Sequence, residues 1–140
     1  MTPEERIQCI LACTRLCEDF AYTIDRRQYD AFLALFAPDP VLDRMGEQYR
    51  GHEGLRRFCA ARPLDRHVRH LCSNIRIDPT GPGTASGTSA ATMYQARAAP
   101  DADFPFATPV PLIAEYQDTY LLTDQGWKIK SRKVGIAFLP

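Results

Sequence analysis

No apolar run in this chain approaches the roughly 20 residues that a membrane-spanning helix needs. Charge of one sign is also missing, since Lys+Arg and Asp+Glu balance at 17 each. Without a basic excess there is no electrostatic footprint for nucleic acid or for an anionic membrane. The opening Met1-Thr2-Pro3-Glu4-Glu5 is acidic and lacks the basic start of a secretory signal, so a cytoplasmic location is expected. Gly-rich phosphate loops, a nucleophile elbow and an HExxH helix are absent. His52, His67 and His70 do not have the spacing of a facial metal set, so neither metal nor cofactor is expected. The five cysteines are an odd number, without a CxxC pair, and read as reduced thiols. Cys9, Cys13 and Cys17 recur every four residues, a stripe along one helix face that reads as packing rather than metal binding.

The 140 residues suit one domain with one core, spanning 1–140. Thr2-Pro3-Glu4-Glu5 is a helix start, with Thr2 as cap, proline at the first helical position and Glu5 closing a capping box. Ile7, Ile10, Leu11, Cys13, Cys17, Phe20 and Ile24 then return at helical spacing, which predicts a helix over 3–25. A short helix over 28–36 is expected to end at Pro38-Asp39-Pro40. A strand pair over 41–51 with a turn at Gly46-Glu47 follows, then a third helix over 52–61. His52 opens that helix and is expected to cap it.

The next run, Arg66 to Ile77, is strand-like and carries the most information. Alternation places His70, Cys72 and Asn74 on one face and Leu71, Ser73, Ile75 and Ile77 on the other. An imidazole on a rigid strand is a candidate for proton transfer, because histidine titrates near neutrality. A hydrogen-bonded structural histidine is the plain alternative. After the turn signal at 78–83, strands are expected over 84–97, 111–123 and 127–138. The connection over 98–110, with Phe104 and Phe106, reads as a surface loop or as a cover for a pocket mouth. Helices followed by an antiparallel meander mark an α+β domain, with a curved sheet wrapping the first helix around a hollow.

The pattern resembles the cone-shaped nuclear-transport-factor-2-like fold, within it the SnoaL-like and scytalone dehydratase-like branch. Tyr22-Thr23-Ile24-Asp25-Arg26-Arg27-Gln28-Tyr29-Asp30, Gly51-His52-Glu53-Gly54-Leu55, Arg69-His70-Leu71-Cys72-Ser73-Asn74 and Gly126-Trp127-Lys128-Ile129 carry the resemblance. It implies that Asp25, at the end of the first helix, faces His70 across the hollow. Tyr94 falls near the place of a second cavity histidine, Ile24 and Arg44 stand where the pattern has tyrosines, and Tyr116 replaces an asparagine. The resemblance also implies a homodimer formed through the outer sheet face.

Asp25 lies near a helix C-terminus, where a negative charge is unfavourable with the dipole. It reads either as an exposed carboxylate paired with Arg26 or as a functional partner of His70. Tyr22, three residues earlier, is placed on the same helix face. Asn74 reads as a ligand contact or as a satisfier of local backbone, His67 as solvent-exposed, and Arg132 as a structural ion pair. The expectation is a cofactor-free acid–base enzyme, a dehydratase, isomerase or cyclase. Its substrate would be a small hydrophobic oxygenated molecule such as a polyketide, terpenoid, steroid or aromatic intermediate. His70 and Asp25 would be catalytic, while Tyr22, Asn74, Tyr94 and Tyr116 would bind substrate. The rival readings are a non-catalytic ligand-binding or assembly module and a small subunit of a ring-hydroxylating dioxygenase.

Overall fold

The computed structural model describes residues 1–140. Helix α1 spans Pro3–Asp25, and its start is the expected capping box. Thr2 Oγ1 accepts from the Glu5 N–H at 3.1 Å, while Glu5 Oε2 accepts from the Thr2 N–H at 2.7 Å. Cys9, Cys13, Leu16, Cys17, Phe20 and Ile24 form its buried stripe. All five thiols are free, and the three on α1 are core groups. Ile7 and Leu11 fall outside the stripe and are exposed. No helix is long and apolar enough to cross a membrane.

Helix α2 (Tyr29–Leu33), strands β1 (Phe36–Arg44) and β2 (Glu47–Arg50), and helix α3 (Gly51–Ala60) come next. Strands β3 (Arg66–Gly81), β4 (Thr84–Arg97), β5 (Leu112–Thr123) and β6 (Gly126–Phe138) complete the chain. They form one sheet in the order β2-β1-β6-β5-β4-β3, antiparallel throughout except for the parallel β1–β6 pair. α1 packs against both β3 and β6, so the sheet curls around it. β5 shows why: Ala114, Tyr116, Asp118 and Tyr120 alternate inward while Glu115, Gln117 and Thr119 face solvent. The architecture is the expected α+β cone.

Three local expectations are corrected. α2 is shorter than predicted, and Phe36 opens β1 instead of closing the helix. Pro38 and Pro40 sit inside that strand, where the register with β6 is broken between Phe36 and Val41 and β2 pairs only from Val41 onward. Prolines are tolerated there because no partner strand asks for their missing N–H. The same reason lets β3 run through Pro79, since β3 is the sheet's outermost strand. His52 does not cap α3, whose N-cap is Arg50 with no side-chain hydrogen bond.

The alternation of β3 is interrupted by a bulge. Ser73 pairs with Ala90 and Arg76 with Thr88, so Asn74 and Ile75 together oppose Ser89. Asn74 takes φ 51°, a left-handed conformation that asparagine adopts more readily than most residues. The extra residue resets the faces. Val68 and Cys72 share the inner face with His70 before the bulge, and Ile75 and Ile77 take it afterwards. Beyond the bulge Ile77 pairs with Gly87, where a side chain would meet Arg76 O and Ile77 Cδ1 at 2.9 Å, so only glycine fits.

Candidate active site

The end of α1 and the start of β3 meet at the expected pair. Asp25 Oδ1 accepts from His70 Nδ1 at 2.5 Å, and Asp25 Oδ2 accepts from the His70 backbone N–H at 2.6 Å. Both carboxylate oxygens are therefore taken by one residue. The Asp25 side chain is 2% exposed and that of His70 13%, so the contact is sheltered from solvent. This answers the question that an acid at a helix C-terminus poses: strand donors, rather than Arg26, hold it. Arg27, at φ 56°, adds a second tie by donating from Nη2 to the carbonyls of Leu64 and Arg66 at 3.0 and 2.9 Å. Helix end and strand start are thus clamped together.

With Nδ1–H donated to Asp25, the tautomer leaves Nε2 as the nitrogen with a free lone pair. Nε2 has no protein partner, and the ring lines a cavity of about 290 Å³. Phe20 and Ile24 of α1, Phe58 of α3, and Leu42 of β1 form part of its apolar wall. Met93 of β4 and Ala114, Tyr116, Val134 and Ile136 of β5 and β6 complete it. The volume lies at the lower end of the range for small-molecule sites, and the lining is mostly apolar. Burial pushes the Tyr116 phenol up to about 12, against the opposing pull of the Arg132 guanidinium. It stays protonated at neutral pH, a neutral hydrogen-bond donor in the wall.

Of the four residues expected to contact substrate, the cavity receives only Tyr116. Tyr22 is 51% exposed and lies under the Arg26 guanidinium, which sits 3.9 Å from its ring centroid, in an outer groove that Asp25 and His70 also line. Asn74 is on the outer surface at the bulge, in the left-handed conformation the bulge requires. Tyr94 faces outward because β4 pairs Met93 with His70, and Tyr94 with Arg69 on the opposite face. The 98–110 connection does not cover the cavity mouth. Phe106 packs on His67 at 4.8 Å and Phe104 lies under Arg69 at 4.5 Å, both on the sheet's outer side. His67 Nε2 donates to the Ala99 carbonyl oxygen of that same loop at 3.0 Å, rather than standing free.

Arg132 makes the expected structural ion pair. Its Nε and Nη2 donate to Asp118 Oδ1 and Oδ2 at 2.8 and 2.7 Å, with both side chains 0% exposed. Tyr120 donates to Asp118 Oδ2 at 2.7 Å. The guanidinium lies between Phe20 and Tyr116, 4.2 and 4.0 Å from their centroids, and so props two residues of the cavity wall from behind. Arg44 lines the cavity, as do Arg62 from the α3–β3 connection and Arg66 from the first position of β3. Arg62 was not legible as a site residue, because a connection of unknown path gives no face to assign, whereas strand alternation puts Arg66 on the His70 face and could have found it.

Such a site has an oriented base, a neutral donor and an apolar enclosure. That suffices to remove a proton from a bound molecule and to stabilise the charge left behind.

A SnoaL-like domain family model matches residues 5–133. No curated protein matches the chain. Among solved structures, the chain is similar to a variant of Rv3472, a protein of unknown function from Mycobacterium tuberculosis. Identity is 26%, coverage is 99% of this chain and 78% of that one, and the TM-score is 0.83. It is also similar to the hexachlorocyclohexane dehydrochlorinase LinA-type3 from Novosphingobium barchaimii, with 17% identity, 99% and 93% coverage and a TM-score of 0.84. A provisional scytalone dehydratase from Novosphingobium aromaticivorans shows 20% identity, 98% and 89% coverage and a TM-score of 0.79.

Proposed function

The chain belongs to the SnoaL-like family, and from that premise we propose that it is a cofactor-free lyase in which His70 is the general base. The observation that carries the reading is the imidazole whose Nδ1 is committed to a buried carboxylate while its ring lines an apolar cavity. His70 Nε2 takes a proton from a carbon of the substrate, the C–H electron pair becomes a carbon–carbon double bond, and a leaving group on the adjacent carbon departs with its bonding electrons. Asp25 holds the ring in the productive tautomer and balances the imidazolium that forms. Tyr116 donates to a substrate oxygen. Similar folds bear the names dehydrochlorinase and dehydratase, and both reactions are eliminations of this kind. The apolar lining and small volume favour a compact hydrophobic molecule with a hydroxyl or carbonyl group. Isomerisation or cyclisation would share the first proton transfer and differ only in the fate of the carbanion.

The test is a panel of small β-hydroxy carbonyl compounds and alkyl halides followed by proton NMR, comparing the wild type with His70→Ala. An oriented base contributes about 10²–10⁴-fold, so turnover falls by that factor while far-UV circular dichroism is unchanged. Turnover that survives the substitution ends the proposal.

A further inference from the structure

Three guanidinium groups share the cavity with His70, and none of them has a carboxylate within ion-pair distance. Arg44 comes from the end of β1, Arg62 from the turn after α3, and Arg66 from the first position of β3. The chain's ion pairs engage Arg15, Arg56, Arg76, Arg97 and Arg132, leaving these three without one. Their contacts are weak acceptors and rings. Arg66 donates to Gln95 Oε1 at 2.6 Å and to Met93 Sδ at 3.3 Å. Arg44 and Arg62 lie over the Phe58 ring, 5.3 and 5.7 Å from its centroid, and Arg62 has the Tyr29 phenol beside it. The acid whose charge reaches both Arg62 and Arg66 is Asp25, and both of its oxygens are already occupied by His70.

Partial burial of like charges side by side is unfavourable unless a counter-charge is supplied. Burial, followed by the neighbouring Arg62, Arg44 and Arg97, pushes Arg66 down to about 10, and burial with Arg44 lowers Arg62 as well. The whole chain has no net charge, so this is a local concentration of positive potential and not part of a basic surface. Beside it, Met45 and Leu139 are exposed apolar residues of the same cavity, which places the arginines toward its open end.

We propose that the cavity receives a small apolar carboxylic acid, its carboxylate held by Arg44, Arg62 and Arg66 at the entrance and its hydrocarbon body lying inward toward Tyr116 and His70. A planar carboxylate matches the guanidinium fork, and the apolar wall matches an unsubstituted ring or chain. This inference rests on the lyase reading for the site but concerns recognition, so it is tested by binding alone.

The probe is 2-naphthoate, with 2-naphthamide as its neutral isostere, titrated by calorimetry into the wild-type protein at low salt. The carboxylate is expected to bind at least ten-fold more tightly, with an advantage that shrinks as salt is raised. Arg62→Gln combined with Arg66→Gln should erase that preference, while His70→Ala should keep it. Equal affinity of acid and amide for the wild type overturns the inference, as does failure of both to bind at millimolar concentration. A preference that persists in the double arginine variant also overturns it. If the double variant does not fold, the acid–amide comparison on the wild type decides by itself. Preference for the acid without turnover in any assay would retain this inference and remove the lyase reading. Turnover with no preference for the acid would do the reverse.

Discussion

The molecule holds two buried carboxylates, each with both oxygens hydrogen-bonded and each paired with a basic side chain, and they differ in what is left over. Asp118 and Arg132 are sealed between α1 and the sheet, their bidentate contact completed by Tyr120 and stacked between Phe20 and Tyr116. Asp25 and His70 meet at the cavity wall, and there the base keeps one nitrogen free. Ion pairing alone therefore does not mark a reactive site. A pair sealed inside the protein holds the protein together, and a pair with an unspent lone pair beside a cavity has chemistry to offer.

Breaking the sealed pair should produce the largest effect. Arg132→Leu strands a carboxylate with no route to solvent, which costs about 3–5 kcal/mol by the usual measure for one-sided removal of a buried partner. Urea denaturation should show that loss. The double substitution Arg132→Leu with Asp118→Leu should recover much of it, because no charge is then left unpaired. At the other pair His70→Ala is milder for the fold, since Asp25 keeps the backbone N–H of residue 70 as donor. A double variant no more stable than Arg132→Leu would show that the two regions do not differ as described.

Alkaline pH sharpens the same contrast at smaller amplitude. The folded interior holds thiols and phenols whose ionised forms burial disfavours. Burial raises Cys59 to about 11 and Tyr116 to about 12, and moves Cys17, Cys72 and Tyr120 upward as well. These groups stay protonated in the folded chain at pH values where the unfolded chain, with ordinary values of 9.0 for thiols and 10.0 for phenols, has released its protons. Unfolding then liberates protons, so stability is complete below about pH 9 and falls as pH rises through the folded values. The urea midpoint should be level between pH 7 and 8.5 and decline progressively from pH 9 to 11. A midpoint that rises over that interval contradicts the burial of these groups.

How much of this was legible in the residues follows from which rules were local. The capping box at Thr2 and Glu5 and the four-residue return of Cys9, Cys13 and Cys17 are short-range signals, and α1 follows them to its last residue. β5 keeps strict alternation, so Tyr116 faced inward as read. Asp25 and His70 were paired by resemblance, since no local rule joins residues 45 apart. Asn74 was misread because alternation presumes an unbroken ladder. A single extra residue reversed the faces beyond it. Arg62, on the α3–β3 connection, lay beyond any periodicity.

The smallest expected effect is the most direct check on where the site ends. Tyr22 was placed with Asp25 because residues three apart on a helix are neighbours, but that spacing leaves them about 60° apart around the axis. At the last turn this angle separates a side chain bonded to β3 from one lying on the surface beside Arg26. Tyr94 missed the cavity by one position, and one position on a strand is a full reversal. Its neighbour Met93 has the inward place opposite His70. Removing the two phenolic hydroxyls by Tyr22→Phe and Tyr94→Phe should leave turnover within about two-fold of the wild type and stability within about 0.5 kcal/mol, the ordinary range for surface changes. Met93→Lys, which puts a charge on the inner face at the neighbouring position, should instead abolish turnover through burial of an unpaired ammonium beside His70. If the tyrosine variants lose activity and Met93→Lys keeps it, β4 is set one residue away from the register that places the cavity wall.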